Sequence, residues 1–343
     1  MILSEAVKQD GKFQNPVPTQ VGRPSMIFRL LPLYLNNKEE KVPRDPLGPF
    51  RTDARLYTTP PRNGMRVTWF GHSSMLLEID GVRILIDPVW DRRAGPSRWL
   101  GPKRFFPPTL PLDQLPPIDA VLISHDHYDH LGKATIQQLS KLPALATAQW
   151  VTALGVGRLL RDFGVAAVQI KELNWTQTMT IAHGACTVTS IPARHFSGRS
   201  LFNRFETLWA SFVIKGKIHS AYYGADSGLW EGFTGIGAVH GPFDLTMLEI
   251  GAFHEMWKDI HLGPDRAAQA YAALGGPARA GLLMPIHWGL FDLALHGWRQ
   301  PIERLLEIAK GQQLPLFAPE PGLPTEVAPI QSDWWRTQRA VAP

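Results

Sequence analysis

The stretch ISHDHYDHLG, Ile123 to Gly132, places three histidines and two aspartates within six positions. Crowding such groups is costly unless a cation or a reaction uses them. His125 and His127 are separated by one residue and can converge on one ion if the chain leaves the preceding strand for a loop. Gly132, ahead of a helical segment, suits that turn. Asp129 and His130 are adjacent and can face a second ion. Imidazole with carboxylate suits Zn²⁺, Fe or Mn²⁺, and no cysteine is offered. The plain alternative is a polar helix start, capped by Ser124, Asp126 or Asp129, with the histidines on the surface.

Residues further along the chain weigh against that alternative. His195 in SIPARHFSG, Asp226 in YYGADSGLW and His287 in LMPIHWGLF each follow an apolar run and precede turn residues. Loops at strand ends are where reactive groups are usually mounted. A carboxylate with two oxygens, such as that of Asp226, can bridge two cations. Two ions about 3.5–4 Å apart would hold a hydroxide for attack and clamp the attacking and leaving oxygens.

The elements that must position these residues are legible from periodicity. MRVTWFG, SMLLEIDG and VRILID read as strands, with Asp80-Gly81 as a hairpin turn. DAVLISH is a short buried strand that delivers His125, and KATIQQLSKL has helical spacing. ALATAQW followed by VTALGVGRLLRDFG predicts a strand and a helix. TMTIAHG, CTVTSIPA, LWASFVIKG, KIHSAYYGAD, FDLTMLEIGA and GLLMPIHWG predict further strands, while PDRAAQAYAALG and PIERLLEIAKG predict helices. Two mixed halves of this kind imply two sheets sandwiched between helices. Residues 1–64, with nine prolines, read as an irregular arm, and 321–343 as an irregular tail. Within the arm, MIFRLLPLYL (Met26 to Leu35) is expected to pack on the domain, with membrane docking as the less favoured reading.

Several other residues carry two readings. Asp87, in LIDP, can cap the turn before Pro88 or hold a ligand histidine by its second nitrogen. His72, in FGHSS, is expected near the site as a hydrogen-bonded group and not as a ligand. Arg98, Lys103 and Arg104 in SRWLGPKRFF read as a solvated basic loop, although they suit anionic groups. His183, His219, His240 and His296 are expected to be structural or surface residues. Trp257 and Trp288 can wall an apolar pocket or fill the core.

Composition bounds the function. The chain has 343 residues, 44% hydrophobic and 19% charged, with a formal charge of +5. That mild excess suits an anionic substrate or surface, yet no run of five basic residues marks a nucleic-acid partner. The single cysteine, Cys186, has no disulfide partner and lies in an apolar run. The N-terminus lacks the pattern of a signal peptide, and no stretch approaches eighteen apolar residues. A cytoplasmic protein is expected, with room for a peripheral membrane contact.

HDHYDH matches the HxHxDH motif of the metallo-β-lactamase superfamily, and His195, Asp226 and His287 stand in that family's order. TWFGHSSMLLEIDG, GPSRWLGPKRF, LPPIDAVLISHDHYDHL, GPFDL, IHWGLFDLA and the arm's FQNP resemble the branch of N-acyl-phosphatidylethanolamine-hydrolysing phospholipases D and their bacterial relatives. The resemblance covers roughly residues 65–315. It implies an α/β fold, the four-layer αββα metallo-β-lactamase sandwich, as a hydrolase domain over 65–320. By the same resemblance His125, His127 and His195 take one metal, Asp129, His130 and His287 a second, and Asp226 bridges. His261, in KDIHLGP, is placed near the substrate phosphate, and Tyr128 lines the site. Two divalent ions are implied, Zn²⁺ first and Fe or Mn²⁺ as alternatives. The implied reaction cleaves an N-acyl-phosphatidylethanolamine to an N-acylethanolamine and phosphatidic acid; the oligomeric state stays open, with a homodimer among the partner expectations. RFETLW (Arg204 to Trp209) departs from the branch's usual string. A lactonase, a phosphosugar lactone hydrolase and a non-catalytic metal-dependent binding protein remain open rivals.

Overall fold

A computed structural model describes residues 3–22, 32–200 and 202–336. The first sheet has seven strands. Its members in chain order are β1 (Met65–Gly71), β2 (Ser74–Ile79), β3 (Val82–Ile86), β4 (Ala120–Ile123), β5 (Gln149–Ala153) and β6 (Ile170–Leu173), joined at the β1 edge by the short strand Thr325–Glu326. β1 to β3 form an antiparallel meander, and β3 to β6 run parallel. The second sheet orders β12, β11, β10, β9, β8 and β7. These are β7 (Thr178–Ile181), β8 (Cys186–Ile191), β9 (Ser211–Lys215), β10 (Ser220–Tyr223), β11 (Leu245–Glu249) and β12 (Leu282–Ile286). β10, β11 and β12 run parallel.

Side-chain alternation explains the layering. In β2, Met75 and Leu77 enter the core between the sheets, while Leu76 joins the cluster on the outer face. β3 and β4 repeat the pattern, with Ile84, Ile86 and Leu122 inside and Leu85, Val121 and Ile123 outside. Both faces being apolar, these strands read as nearly continuous hydrophobic runs. Ile136 and Leu139 of α1 (Lys133–Leu139) and Leu160 of α2 (Gly157–Asp162) cover the outer face. The second sheet is covered by α3 (Gly232–His240), α4 (Gly263–Ala273) and α5 (Gln300–Gln312) through Ile236, Tyr271, Ile302 and Leu305. The result is the expected αββα sandwich.

Asp80 and Gly81 form the two-residue turn between β2 and β3, both at positive φ (49° and 85°), as a type I′ hairpin requires. Asp80 also accepts bonds from the backbone N–H groups of Ile218 and His219 and pairs with the His219 ring at 2.6 Å. Two elements differ from expectation. Val151 to Ala153 continue β5, so the helix after them starts only at Gly157; ALATAQW begins with a 3₁₀ turn at Pro143–Leu145. In such alanine-rich apolar text, periodicity cannot tell a buried strand from a buried helix, and pairing with β4 decides. The tail also contributes to the fold, since Trp334 and Trp335 are buried and Trp334 lies against Trp69 and Trp288.

The apolar arm segment lies outside the described residues from Met26 to Leu31, and Leu33, Tyr34 and Leu35 at its end are exposed. Among the described residues no helix is long and apolar enough to cross a membrane. Cys186 is buried in β8, and burial pushes its thiol up to about 12.

One polar cluster sits within the first sheet. Arg66, Glu78 and Arg83 stand opposite one another on β1, β2 and β3. Glu78 takes both forks of Arg66, at 2.5 and 2.9 Å, and Arg83 Nε at 3.2 Å. Removing a buried anion strands its cationic partners. Glu78→Ala should destabilise the fold by about 3 kcal/mol, read from the urea midpoint at constant slope; a loss below ~1 kcal/mol would mean that solvent replaces the carboxylate.

Candidate metal centre

Many of the functional side chains arise at or just beyond the ends of strands, and the rest in the loops that follow them. Asp87 follows β3, Ser124 and His125 follow β4, His195 lies beyond β8, Asp226 beyond β10, Glu249 closes β11 and His287 follows β12. The backbone turns sharply at these points. Asp87, His72, Ala225 and His287 have φ of 37°, 54°, 49° and 62°. Side chains with a Cβ rarely occupy that region, and held there they leave the strand direction and rise over the sheet edge. The amide of His287 donates to the His72 carbonyl at 3.0 Å, which ties the ends of the two sheets together.

After His125 the chain turns into α1, with the amides of His130 and Leu131 bonded to the His127 carbonyl at 3.1 and 2.8 Å. This turn sorts the motif. His125, His127, Asp129 and His130 face inward, while Asp126 points away and accepts the Gly198 N–H at 2.7 Å and the Thr207 hydroxyl at 3.0 Å. Tyr128 is half-buried. Its hydroxyl donates to the Arg199 carbonyl at 2.9 Å, and the Arg199 guanidinium lies 3.9 Å from its ring centre.

Among the described residues three groups of donors result, each with ligand-type atoms within 4.8 Å of one another. The first is His125, His127, His195 and Asp226; the second is His72, Asp129, His130 and His287; the third is Asp226, Glu249, His261 and His287. In the first group, His127 Nδ1 lies 2.8 Å from His125 Nε2 and 3.3 Å from His195 Nε2. Nitrogens about 3.3 Å apart fit the edge of a tetrahedron with bonds of about 2.0–2.1 Å. In the second, Asp129 Oδ2 lies 3.0 Å from His72 Nε2 and 3.4 Å from His287 Nε2. Asp226 stands between the groups: Oδ2 is 3.2 Å from His287 Nε2, 3.6 Å from His195 Nε2 and 3.8 Å from His125 Nε2, and Oδ1 is 3.2 Å from His130 Nε2.

These donors fit a bound cation. His130 Nε2, Asp226 Oδ1 and both nitrogens of His287 are buried without a hydrogen-bond partner. Such atoms cost free energy unless something satisfies them. The donor set of imidazoles and carboxylates, without thiolate, suits Zn²⁺, Fe or Mn²⁺.

A second layer of contacts aims the donors. Asp87 is fully buried; its Oδ2 meets His130 Nδ1 at 2.6 Å and accepts the hydroxyls of Ser124 and Tyr223, each at 2.5 Å. Its other oxygen takes the Ser124 N–H at 2.8 Å. Asp87 thus meets a histidine of the motif at the ring nitrogen opposite the one that faces Asp226. Ser124 Oγ meets His125 Nδ1 at 2.9 Å, and His195 Nδ1 donates to the Ile260 carbonyl at 2.8 Å.

Glu249 was not singled out by sequence. It is fully buried, accepts the N–H groups of Ser227 and Leu262 at 2.7 and 3.2 Å, and meets His261 Nδ1 at 2.6 Å. Its signal was a lone carboxylate closing the apolar strand LTMLE, which burial makes costly without a partner. His72 was expected as a hydrogen-bonded neighbour, and it is one, but it also belongs to a donor group. Arg104 corrects the basic-loop expectation. It is buried, donates from Nε to the Phe106 carbonyl at 2.8 Å, and burial lowers its pKa to about 10. Trp288 is core, stacked on Trp69 and Trp334; Trp257 donates to the Ala252 carbonyl at 2.6 Å. His296 is half-buried, stacked on Phe253, and burial lowers its pKa to about 4.

The electrostatics follow from the crowding. Burial pulls His125, His127 and His195 below the usual histidine range, and burial with the neighbouring His287 takes His72 to about 3. Burial acts the same way on His130 and His287, yet Asp226 and the other carboxylates prevail, holding His130 well above its ordinary value and His287 at about 10. Burial tends to raise Asp129 and Asp226, but the charge on His130 leaves both well below the carboxylate range. Burial wins at Glu249, whose pKa is raised. The carboxylates around His130 and His287 thus favour the protonated imidazoles, and a divalent cation taking that place would release protons.

The Beta-lactamase superfamily domain family matches residues 82–288. An uncharacterized protein of Mycobacterium tuberculosis (strain ATCC 25618 / H37Rv) is 47% identical over 274 residues, covering 79% of this chain and 72% of its own. The N-acyl-phosphatidylethanolamine-hydrolyzing phospholipase D 1 of Caenorhabditis elegans is 31% identical over 261 residues, covering 73% of this chain and 71% of its own. Among solved structures, Igni18, a metallo hydrolase from the archaeon Ignicoccus hospitalis KIN4/I, superposes with a TM-score of 0.58 at 20% identity, over 77% of this chain and 98% of its own. The sandwich fold and these matches together make the chain a metal-dependent hydrolase that belongs to the metallo-β-lactamase superfamily, in its N-acyl-phosphatidylethanolamine-hydrolysing phospholipase D-like branch.

Proposed function

We propose that the chain is a dinuclear phosphodiesterase acting on phospholipids of the N-acyl-phosphatidylethanolamine type, releasing an N-acylethanolamine and phosphatidic acid. The observation that carries the reading is the convergence of His125, His127 and His195 on one side of Asp226 and of Asp129, His130 and His287 on the other. The first three would hold one divalent ion, the second three another, with Asp226 bridging. His72, bonded to Asp129, would orient that carboxylate. Zn²⁺ is the proposed metal. Ions held there would supply Lewis-acid activation of water and neutralise charge on the phosphoryl oxygens. The phospholipid assignment is supported by the similarity to the Caenorhabditis elegans enzyme.

The chain's own residues do the rest. His261 sits beside the donors, its ring centre 5.1 Å from that of His195 and 5.4 Å from that of His287. Glu249 takes its Nδ1 and so fixes which nitrogen remains for substrate. His261 would hydrogen-bond a phosphoryl oxygen or pass a proton to the leaving alkoxide. Tyr128, held by Arg199, would line the approach to the site. No serine or cysteine nucleophile is required.

His127→Ala or Asp226→Ala should remove bound metal and turnover together, measured by elemental analysis beside hydrolysis of a long-chain N-acyl-phosphatidylethanolamine. Full activity in either variant would end the ligand assignment. His261→Ala should retain the metal while kcat falls by roughly 10²–10⁴, and an unchanged rate would remove it from the reaction. Assayed beside a small chromogenic phosphodiester and a lactone, the wild-type chain should prefer the lipid; turnover of the lactone alone would make it a lactonase, and two bound metals without turnover of any of the three would make it a binding protein.

A further inference from the structure

His195 differs from the other donors in how its backbone is held. It lies four residues beyond the end of β8 at Ile191, outside any sheet ladder. Its peptide groups are taken instead by one side chain from the N-terminal arm. Asn15 Oδ1 accepts the His195 N–H at 3.0 Å, and Asn15 Nδ2 donates to the His195 carbonyl at 2.7 Å. A planar amide bonded at both ends to a single residue imitates a strand partner and fixes that residue's place and orientation.

The neighbouring contacts act in the same direction. Arg194 donates from Nη2 to the Pro18 carbonyl at 2.8 Å and from Nε to the Thr19 hydroxyl at 3.1 Å. Its guanidinium also pairs at 2.9 Å with Asp259, whose carboxylate takes the Gln20 N–H at 2.9 Å. One residue on from Asp259, the Ile260 carbonyl receives His195 Nδ1 at 2.8 Å. The arm from Asn15 to Gln20 therefore grips both the backbone that carries the His195 ring and the loop that orients it.

We infer that Asn15 is a positioning residue for the metal centre: through the His195 backbone it sets where His195 Nε2 meets the nitrogens of His125 and His127. The inference rests on the reading of His195 as a metal ligand. A misplacement of about 0.5 Å is enough to degrade such a site, and partners that orient ligands are typically worth 10–100-fold in metal affinity. The arm is then part of the site's construction and not only a wrapping on the hydrolase domain.

The test measures zinc affinity by competition with a chromophoric chelator in the full chain, so that substrate plays no part. Wild type, Asn15→Ala, Asn15→Asp, His195→Ala and the neighbouring exposed Gln14→Ala are compared, each with the melting temperature of its metal-free form. Expected is a 10–100-fold weaker affinity for one zinc equivalent in Asn15→Ala. The second equivalent and the metal-free melting temperature should stay unchanged, and Gln14→Ala should match wild type. Asn15→Asp keeps the acceptor but sets a carboxylate against the His195 carbonyl, and should recover none of the loss. Wild-type affinity in Asn15→Ala would overturn the inference, because water would then serve the His195 peptide equally well. So would an equal weakening of both equivalents with a lowered metal-free melting temperature, which would make Asn15 a general packing residue. If instead His195→Ala bound zinc as wild type does, the ligand reading itself would fall and the inference with it.

Discussion

Burying anionic charge is the constraint on which the rest depends. Asp87, Asp226 and Glu249 are buried at one edge of the sandwich, with Asp129 close to them. An uncompensated carboxylate in such a place is far costlier than any single packing contact. Each one here is compensated by specific groups: Asp87 by His130, Ser124 and Tyr223, Asp129 by His72 and His287, Asp226 by His130 and His287, Glu249 by His261 and two backbone amides. His130 Nε2, Asp226 Oδ1 and the nitrogens of His287 lie in these close charge contacts without a hydrogen-bond partner, and they mark the place for a cation.

The sandwich makes this arrangement possible because its strands end together. The parallel strands β3 and β4 of one sheet and β10, β11 and β12 of the other bring their C-terminal ends to the same edge. Residues there can take left-handed backbone conformations that a strand interior would not admit, and His72, Asp87, Ala225 and His287 do so. The strain is carried by the apolar runs behind them, whose side chains are buried on both faces. A rigid sheet edge of this kind holds donors more precisely than a free loop would. His195, four residues past the end of β8, receives its rigidity from the arm.

Much of this was legible locally. HDHYDH declares its chemistry by composition alone, and His195, Asp226 and His287 stand out because each polar residue interrupts an apolar run at a turn. Asp87 was legible as a strand-end carboxylate but not in its role, since a turn cap and a histidine partner look alike in LIDP. Glu249, His72 and Asn15 were harder for a geometric reason. Their partners lie 12, 57 and 180 residues away in the chain, beyond the reach of the strand and helix repeats that make local structure legible. Arg104 misled in the opposite sense, because a basic residue among prolines and glycines looks solvated until its neighbours close over it.

By itself, then, the sequence determined which donor types exist, their order along the chain, and the strand and turn rhythm that sets them at element ends. These are local properties, governed by side-chain chemistry and by the repeat of the strand and the helix. Only the tertiary structure decided which donors share a group, that Asp226 stands between two of them, and that an amide from the arm holds His195. Those facts depend on distances of a few ångströms between residues far apart in the chain. Such distances are set by the packing of two whole sheets and not by any short stretch.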